Sequence, residues 1–355
     1  MSADPTHLRP EASKPVDDVV LTVDDLSVRF RSDEGPVNAV QNLSYQARLG
    51  RTLAIVGESG SGKSVSSMTL LGLHNPKRTM ISGSIMLDGQ EIVGASEATM
   101  RRLRSSTVAM VFQDPQSSLH PFYKIGRQIA EAYLAHHHVS RAVAEKRAVE
   151  MLDRVGIPNP QRRAKQYPHE FSGGMRQRAM IALGLVNDPK LLVADEPTTA
   201  LDVTVQAQIL ELINDLQKEF GSAVILITHD LAVVAEVADD ILVMYAGRAV
   251  EKGLAKEVLA QPDHPYTMGL LESLPSASEE VSVLRAIRGT PPSLVHLPSG
   301  CSFHPRCDFR DQVPGDRCIT ELPELRRLPN GREIRCHLRN PEQTLAEAEP
   351  EEHVG

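Results

Sequence analysis

Lys63 and Ser64 end the run Gly57-Glu58-Ser59-Gly60-Ser61-Gly62-Lys63-Ser64, whose residue types suit one task, gripping the oxygens of a polyphosphate. Glycines at 57, 60 and 62 let the backbone curl until several N–H groups point inward, and a helix beginning at the end of the loop sets its positive dipole end behind them. Lys63 then reaches β- and γ-phosphates, and Ser64 ligates Mg²⁺. The run fits G-x-x-x-x-G-K-[ST] and has the context that motif needs: the apolar stretch 52–56 before it and the helical spacing of Ser67, Leu70 and Leu71 after it. A Gly/Ser-rich surface turn matching by accident would lack both flanks.

A second group carries the complementary chemistry. The apolar stretch 191–194 runs into Asp195-Glu196, adjacent carboxylates at a strand exit. Asp195 suits Mg²⁺, directly or through water, and Glu196 suits a base that polarises an attacking water. Alone, such a pair is as readily a helix cap. Gln113 follows another buried stretch, 108–112, so its amide can meet the metal and the water, and His229 follows the stretch 223–228, where it can contact the γ-phosphate or simply cap a helix. Ser172-Gly173-Gly174-Met175 opens a helical pattern and forms a further anion site. It lies too far along the chain to be assigned to its own phosphate loop.

These side chains need a scaffold that delivers strand ends side by side. Apolar strands alternating with helical patterns from residue 52 to 244 predict an α/β fold with a mostly parallel sheet whose chemistry sits at the carboxyl ends of its strands, and with the phosphate loop this resembles a P-loop NTPase (RecA-like) core. Two β-rich segments, 19–31 and 39–49, precede the loop as an antiparallel β segment, and residues 84–92 form a strand pair around Asp88-Gly89. A helical subdomain, about residues 113–186, is inserted in this core. The histidines 136, 137 and 138 fall at a helix end there; consecutive helical residues diverge, so they read as solvated, not as a metal site. The ATPase domain spans 19–255, a Pro-rich extension with four cysteines spans 256–340, and 1–18 and 341–355 read as a disordered arm and an acidic tail.

The order of the P-loop, Gln113, Ser172-Gly173-Gly174, Asp195-Glu196, Thr199-Ala200-Leu201-Asp202 and His229 resembles the ATPase subunits of ATP-binding-cassette (ABC) transporters. That resemblance implies that two subunits meet head to tail, each ATP lying between one chain's P-loop and the other's signature residues. It assigns Phe30 to adenine stacking, where a core role is the alternative, and Asp202 to communication between the two sites. The usual Leu-Ser-Gly-Gly-Gln is here Phe171-Ser172-Gly173-Gly174-Met175, which keeps the phosphate-facing groups and loses a glutamine contact. His264-Pro265-Tyr266, Gly289-Thr290-Pro291-Pro292 and Cys301-x₅-Cys307-x₁₀-Cys318-x₁₇-Cys336 are similar to the extension of oligopeptide and dipeptide importer ATPases. Four thiolates suit a [4Fe–4S] cluster or tetrahedral Zn²⁺, and plain thiols or disulfides remain open; the resemblance implies the cluster, in a structural role.

The implied protein energises import of di- and oligopeptides from the cytoplasmic face of the bacterial inner membrane, peripherally attached. Its partners are a second ATPase subunit, a paralogue, together with two membrane permease subunits and an extracytoplasmic binding protein. Importers of nickel chelates or glycosides are alternatives, as is a soluble ABC ATPase acting on DNA or the ribosome. A formal charge of −8 over 355 residues argues against broad nucleic-acid binding, and no apolar run has the length of a membrane span. Four cysteines are too few for a disulfide-rich secreted protein.

Overall fold

The structure is a computed structural model that describes residues 18–33, 35–114, 118–199, 201–273 and 287–338. The expected arm and acidic tail lie outside these residues, apart from Asp18, as do residues 274–286 and Ala200 of the Asp202 motif. An eight-stranded sheet organises the chain, in the order β11-β12-β10-β9-β3-β8-β7-β6. Its parallel centre consists of β3 (Thr52–Val56), β6 (Val108–Val111), β7 (Leu191–Asp195), β8 (Ala223–Thr228) and β9 (Asp240–Tyr245). Antiparallel β10 (Arg248–Leu254), β12 (Glu333–Ile334) and β11 (Arg326–Arg327) extend one edge.

Every residue of β3, β6, β7 and β8 is buried, as unbroken apolar strands require when both sheet faces are covered. Side chains alternate between two cores. Leu191, Val193, Ile225 and Ile227 face one, and Leu192, Ala194, Val224 and Leu226 the other. The first core is roofed by a separate antiparallel sheet of β1 (Val19–Ser32), β2 (Gly35–Arg48), β4 (Thr79–Leu87) and β5 (Gln90–Glu91), through Val23, Leu26, Leu43 and Ile85. Asp88 and Gly89 turn β4 into β5 with φ of 48° and 76°, the backbone that Asp-Gly hairpin turns favour.

The opposite face is shared by two covers. Over β6, β7 and β8 lies a helical lobe of α3 (Ile125–Leu134), α4 (Arg141–Arg154) and α6 (Gly173–Leu185), joined by α7 (Val203–Phe220). The preceding helices are α1 (Lys63–Leu70) and α2 (Glu97–Leu103), and a single-turn helix, α5, spans Pro160–Arg163. The break around residues 139 and 140 is a new helix start, where the Ser140 hydroxyl accepts from the Val143 amide. His137 stacks on Tyr133 at 4.1 Å between centroids beside that break, consistent with a helix end.

Over β3 and β9 lies the C-terminal extension, whose Tyr266 and Phe303 pack on Val56, Val243 and Tyr245. Glu251 of β10 anchors it. Wholly buried, it accepts the Asp263 and His264 amides at 2.8 and 3.1 Å, just before the helix Pro265–Glu272. Burial pushes its carboxyl up from an ordinary 4.5 to about 7. The folded chain therefore holds this proton more tightly than the unfolded one; the contribution is complete below pH 4.5 and is lost as pH rises through about 7. Glu251→Ala, which orphans two buried donors, is expected to cost about 2 kcal/mol or more and to flatten that pH dependence. Urea unfolding at pH 5 and pH 8 measures both.

Candidate active site

A cavity of about 750 Å³ opens where β3, β6, β7 and β8 end, lined by residues 58–65, Gln113, Glu196 and His229. Its floor is the phosphate loop. A Cβ on Gly57, at φ +149°, would lie 2.2 Å from the Met244 carbonyl oxygen, and one on Gly62, at φ +101°, 2.4 Å from that of Ala39. Only glycine fits at either position, so the loop is pinned between β9 and β2. Lys63 is 6% exposed, and its ammonium donates to the Gly57 and Glu58 carbonyls at 2.6 and 3.0 Å. Burial lowers its pKa, and the negative charges of Glu196, Asp195 and Glu58 act in the opposite direction.

Ser64, in the first turn of α1, donates its hydroxyl to Asp195 Oδ1 at 3.2 Å, joining two of the three expected metal ligands across 131 residues. Burial, together with the neighbouring Glu196, raises the Asp195 pKa, while the Ser64 hydroxyl and the Lys63 charge lower it. Glu196 leaves β7 in a left-handed turn at φ +46°, its amide donating to the Ile227 carbonyl at 2.9 Å. That turn throws its carboxylate into the cavity. Gln113 Nε2 donates to it at 2.8 Å and the Thr199 hydroxyl at 2.9 Å, while His229 Nδ1 lies 3.3 Å away. Side chains from three parallel strand ends thus meet on one carboxylate.

The other expected residues stand apart from this cavity. Ser172 caps α6, its hydroxyl accepting from the Met175 amide at 3.3 Å, while Met175 packs partly on the core between sheet and lobe. Asp202 caps α7 by accepting from the Val205 amide at 3.0 Å, and Gly174 approaches Val205 closely across the two helix starts. Phe30 packs edge-on against His74, with centroids 5.3 Å apart, and does not line the cavity. Sequence reasoning missed Thr199 as a partner of Glu196, and Pro291 and Leu294 of the extension, which also line the cavity.

The chain's residues fit MgATP: a glycine cradle, a buried ammonium, and a hydroxyl–carboxylate pair at the site of the expected metal. The fit of Cys301, Cys307, Cys318 and Cys336 to a metal is poorer. The Cys301 amide donates to the Cys318 carbonyl at 2.9 Å, but Cys301 and Cys307 pack with the Tyr266 and Phe303 core, and Cys318 and Cys336 with Val313, Leu338 and Phe309. Burial pushes the Cys301 thiol up to about 11 and those of Cys307 and Cys336 to about 12, each also raised by its neighbours' thiols. Among the described residues no group of three or more His, Cys, Asp or Glu is placed to hold a metal ion. Cys318 is buried and the other three are half-buried, and the four sit across two adjoining apolar clusters, near enough that their thiols raise one another's pKa.

Residues 40–199 match the family described as ABC transporter, and residues 250–313 the one described as Oligopeptide/dipeptide transporter, C-terminal region. The oligopeptide transport ATP-binding protein OppD of Escherichia coli (strain K12) is 48% identical over 319 residues, covering 90% of this chain and 93% of its own. The dipeptide transport ATP-binding protein DppD of the same organism is 46% identical over 318 residues, covering 90% and 96%. Among solved structures, cbiO1 from Clostridium perfringens, part of the ABC transporter complex cbiONQ, matches with a TM-score of 0.59 and 31% identity over 69% of this chain and 92% of its own. A dimeric bacterial ABC transporter cassette matches with a TM-score of 0.59 and 26% identity over 66% and 98%. A P-loop, a sheet end where Gln113, Glu196 and His229 converge, and these likenesses along nine-tenths of the sequence place the chain in the ABC transporter ATPase family, in the group that carries the oligopeptide/dipeptide transporter C-terminal region.

Proposed function

We propose that this chain is the ATP-hydrolysing subunit of a bacterial importer of di- and oligopeptides, with residues 19–255 as its cassette, the helical subdomain about 113–186 within it and 256–340 as its extension. The carrying observation is that identity near one half to peptide-transport ATP-binding proteins runs through both cassette and extension. Ser64 and Asp195, with Gln113 beside them, would hold Mg²⁺, which neutralises charge between the β- and γ-phosphate oxygens when bound. Lys63 and the loop amides bind and orient the triphosphate. Glu196 takes the proton of the attacking water, held at that task by the Gln113 amide and the Thr199 hydroxyl, and His229 lies within reach of the γ-phosphate.

One wall of the enclosure comes from elsewhere. Ser172 and the amides of Gly173 and Gly174 form an anion-binding helix start that is absent from the lining of their own chain's cavity, which supports a second cassette supplying this element head to tail; the family resemblance favours a paralogue over a copy of this chain. Asp202, at the adjoining helix start, senses the closure. Phe30 stacks on adenine from β1.

No helix among the described residues is long and apolar enough to cross a membrane. Two permease subunits supply the membrane path, an extracytoplasmic binding protein delivers the peptide, and the chain sits peripherally on the cytoplasmic face. A cavity of about 610 Å³ in the helical lobe, lined by Tyr123, Arg127, Glu145 and Tyr167 with Phe122 79% exposed at its edge, suits a short cytoplasmic helix of a permease. The four cysteines take a [4Fe–4S] cluster, with Zn²⁺ as the alternative. Support for this lies in their gathering within one module and in the mutual electrostatic influence of their thiols. The tagged chain extracted from membranes in mild detergent is expected to carry two integral membrane subunits and a second cassette, with iron and acid-labile sulfide in equal amounts. Copurification with nucleic acid or ribosomes instead would overturn the transport reading, and zinc without sulfide would overturn the cluster.

A further inference from the structure

Arg306 lies in the extension, between Cys301 and Cys307, yet its guanidinium is spent on the phosphate loop. Nη1 and Nη2 donate to the two carboxylate oxygens of Glu58 at 2.6 and 3.0 Å, a bidentate pair in which the Arg306 side chain is 5% exposed and that of Glu58 26%. Nε donates to the Arg288 carbonyl at 2.7 Å, and Nη1 also meets the Tyr245 hydroxyl at 3.3 Å. The guanidinium carbon also lies 5.8 and 6.0 Å from the Tyr245 and Phe303 ring centroids. Glu58 is gripped at its backbone too, its amide donating to the Tyr266 hydroxyl at 2.8 Å. Its carbonyl in turn accepts the Lys63 ammonium at 3.0 Å.

We propose that Arg306 is a positioning residue of the nucleotide site: it holds the second residue of the phosphate loop, cancels the charge that Glu58 would present to a triphosphate, and so makes nucleotide affinity depend on the docking of the C-terminal extension. The inference rests on reading the cavity as a nucleotide site and adds a partner from outside the cassette. Two features of the geometry favour a role beyond fastening. A carboxylate in a loop that must accept a polyanion opposes binding unless a cation neutralises it, and a bidentate guanidinium does so in a fixed direction. The extension also reaches the cavity itself, where Pro291 and Leu294 line it and the Leu294 carbonyl accepts the Asn38 amide at 3.4 Å.

Titration of the full-length chain with MgATP, by calorimetry or with a fluorescent ATP analogue, tests this. Arg306→Met is expected to raise the Kd about tenfold or more, because it leaves Glu58 charged and unpaired beside the phosphates. Adding Glu58→Gln to that variant removes the repulsion and is expected to restore the Kd to within about threefold of the parent, a rescue that loss of fastening alone cannot produce. Arg306→Lys keeps the charge without the fork and should fall between, and it serves as the reading if Arg306→Met fails to fold. A parent-like Kd in Arg306→Met or, should that variant not fold, in Arg306→Lys, or a double variant as weak as the single one, overturns the proposal while leaving the nucleotide site standing. A parent chain that does not bind MgATP overturns both.

Discussion

Glu196→Gln is expected to bind MgATP as tightly as the parent chain and to hydrolyse it at least about a hundredfold more slowly, general-base groups being worth roughly 10²–10⁴ in rate. The substitution keeps the shape and the hydrogen-bonding reach of the side chain, so Gln113 and Thr199 still have an oxygen to meet. It removes only the group that takes a proton. Glu196 leaves β7 in a left-handed turn at φ +46° and is met there by Gln113 and His229 from the neighbouring strand ends and by the Thr199 hydroxyl. Phosphate release and nucleotide titration on the same preparation separate the two effects. Turnover within a few fold of the parent would move the base to His229, whose Nδ1 is 3.3 Å from the same carboxylate.

Much of this site was legible because its parts are local. A glycine loop between an apolar strand and a helix is defined by eight consecutive residues, and the strand ends that carry Gln113, Asp195, Glu196 and His229 each follow a run apolar enough to be buried on both faces. Parallel order then delivers them to one edge of the sheet without further information. The alternation of Leu191, Leu192, Val193 and Ala194 between two cores follows from the strand period alone.

What sequence could not carry was pairing over distance and without period. Arg306 and Glu58 are 248 residues apart, and a lone arginine in a proline-rich stretch bears no mark of its partner. The extension read as a separate module because its helices are short and its strands two residues long, yet β12 pairs with β10 and Tyr266 enters the core beneath β9. Cysteine spacing suggests a ligand set, but spacing says nothing of surroundings: the four thiols lie near one another across two apolar clusters, and burial, first among the causes, raises their pKa. Phe30 shows the opposite limit. The resemblance assigns this aromatic near the end of β1 to adenine, and its ring contact in this structure is His74.

The second large effect concerns Lys63. Lys63→Ala is expected to weaken MgATP binding at least about a hundredfold, with the folded state little changed. Its ammonium is already desolvated, and its bonds to the Gly57 and Glu58 carbonyls hold it at the loop before any phosphate arrives, so little ordering remains to oppose binding. Charge-assisted hydrogen bonds are worth about 1.5–3 kcal/mol each, and a group that meets two phosphates makes more than one. The loss has a second part. Glu196, Asp195 and Glu58 all act on Lys63, and without it Glu196 confronts a polyanion unopposed, while Arg306 offsets Glu58 and the bound metal would offset Asp195. Repulsion therefore adds to the missing attraction, and the deficit should shrink at high salt where exposed charges are screened. Titrations of both chains at low and high ionic strength measure the two parts, and tight binding by Lys63→Ala at either would take the triphosphate out of the glycine loop.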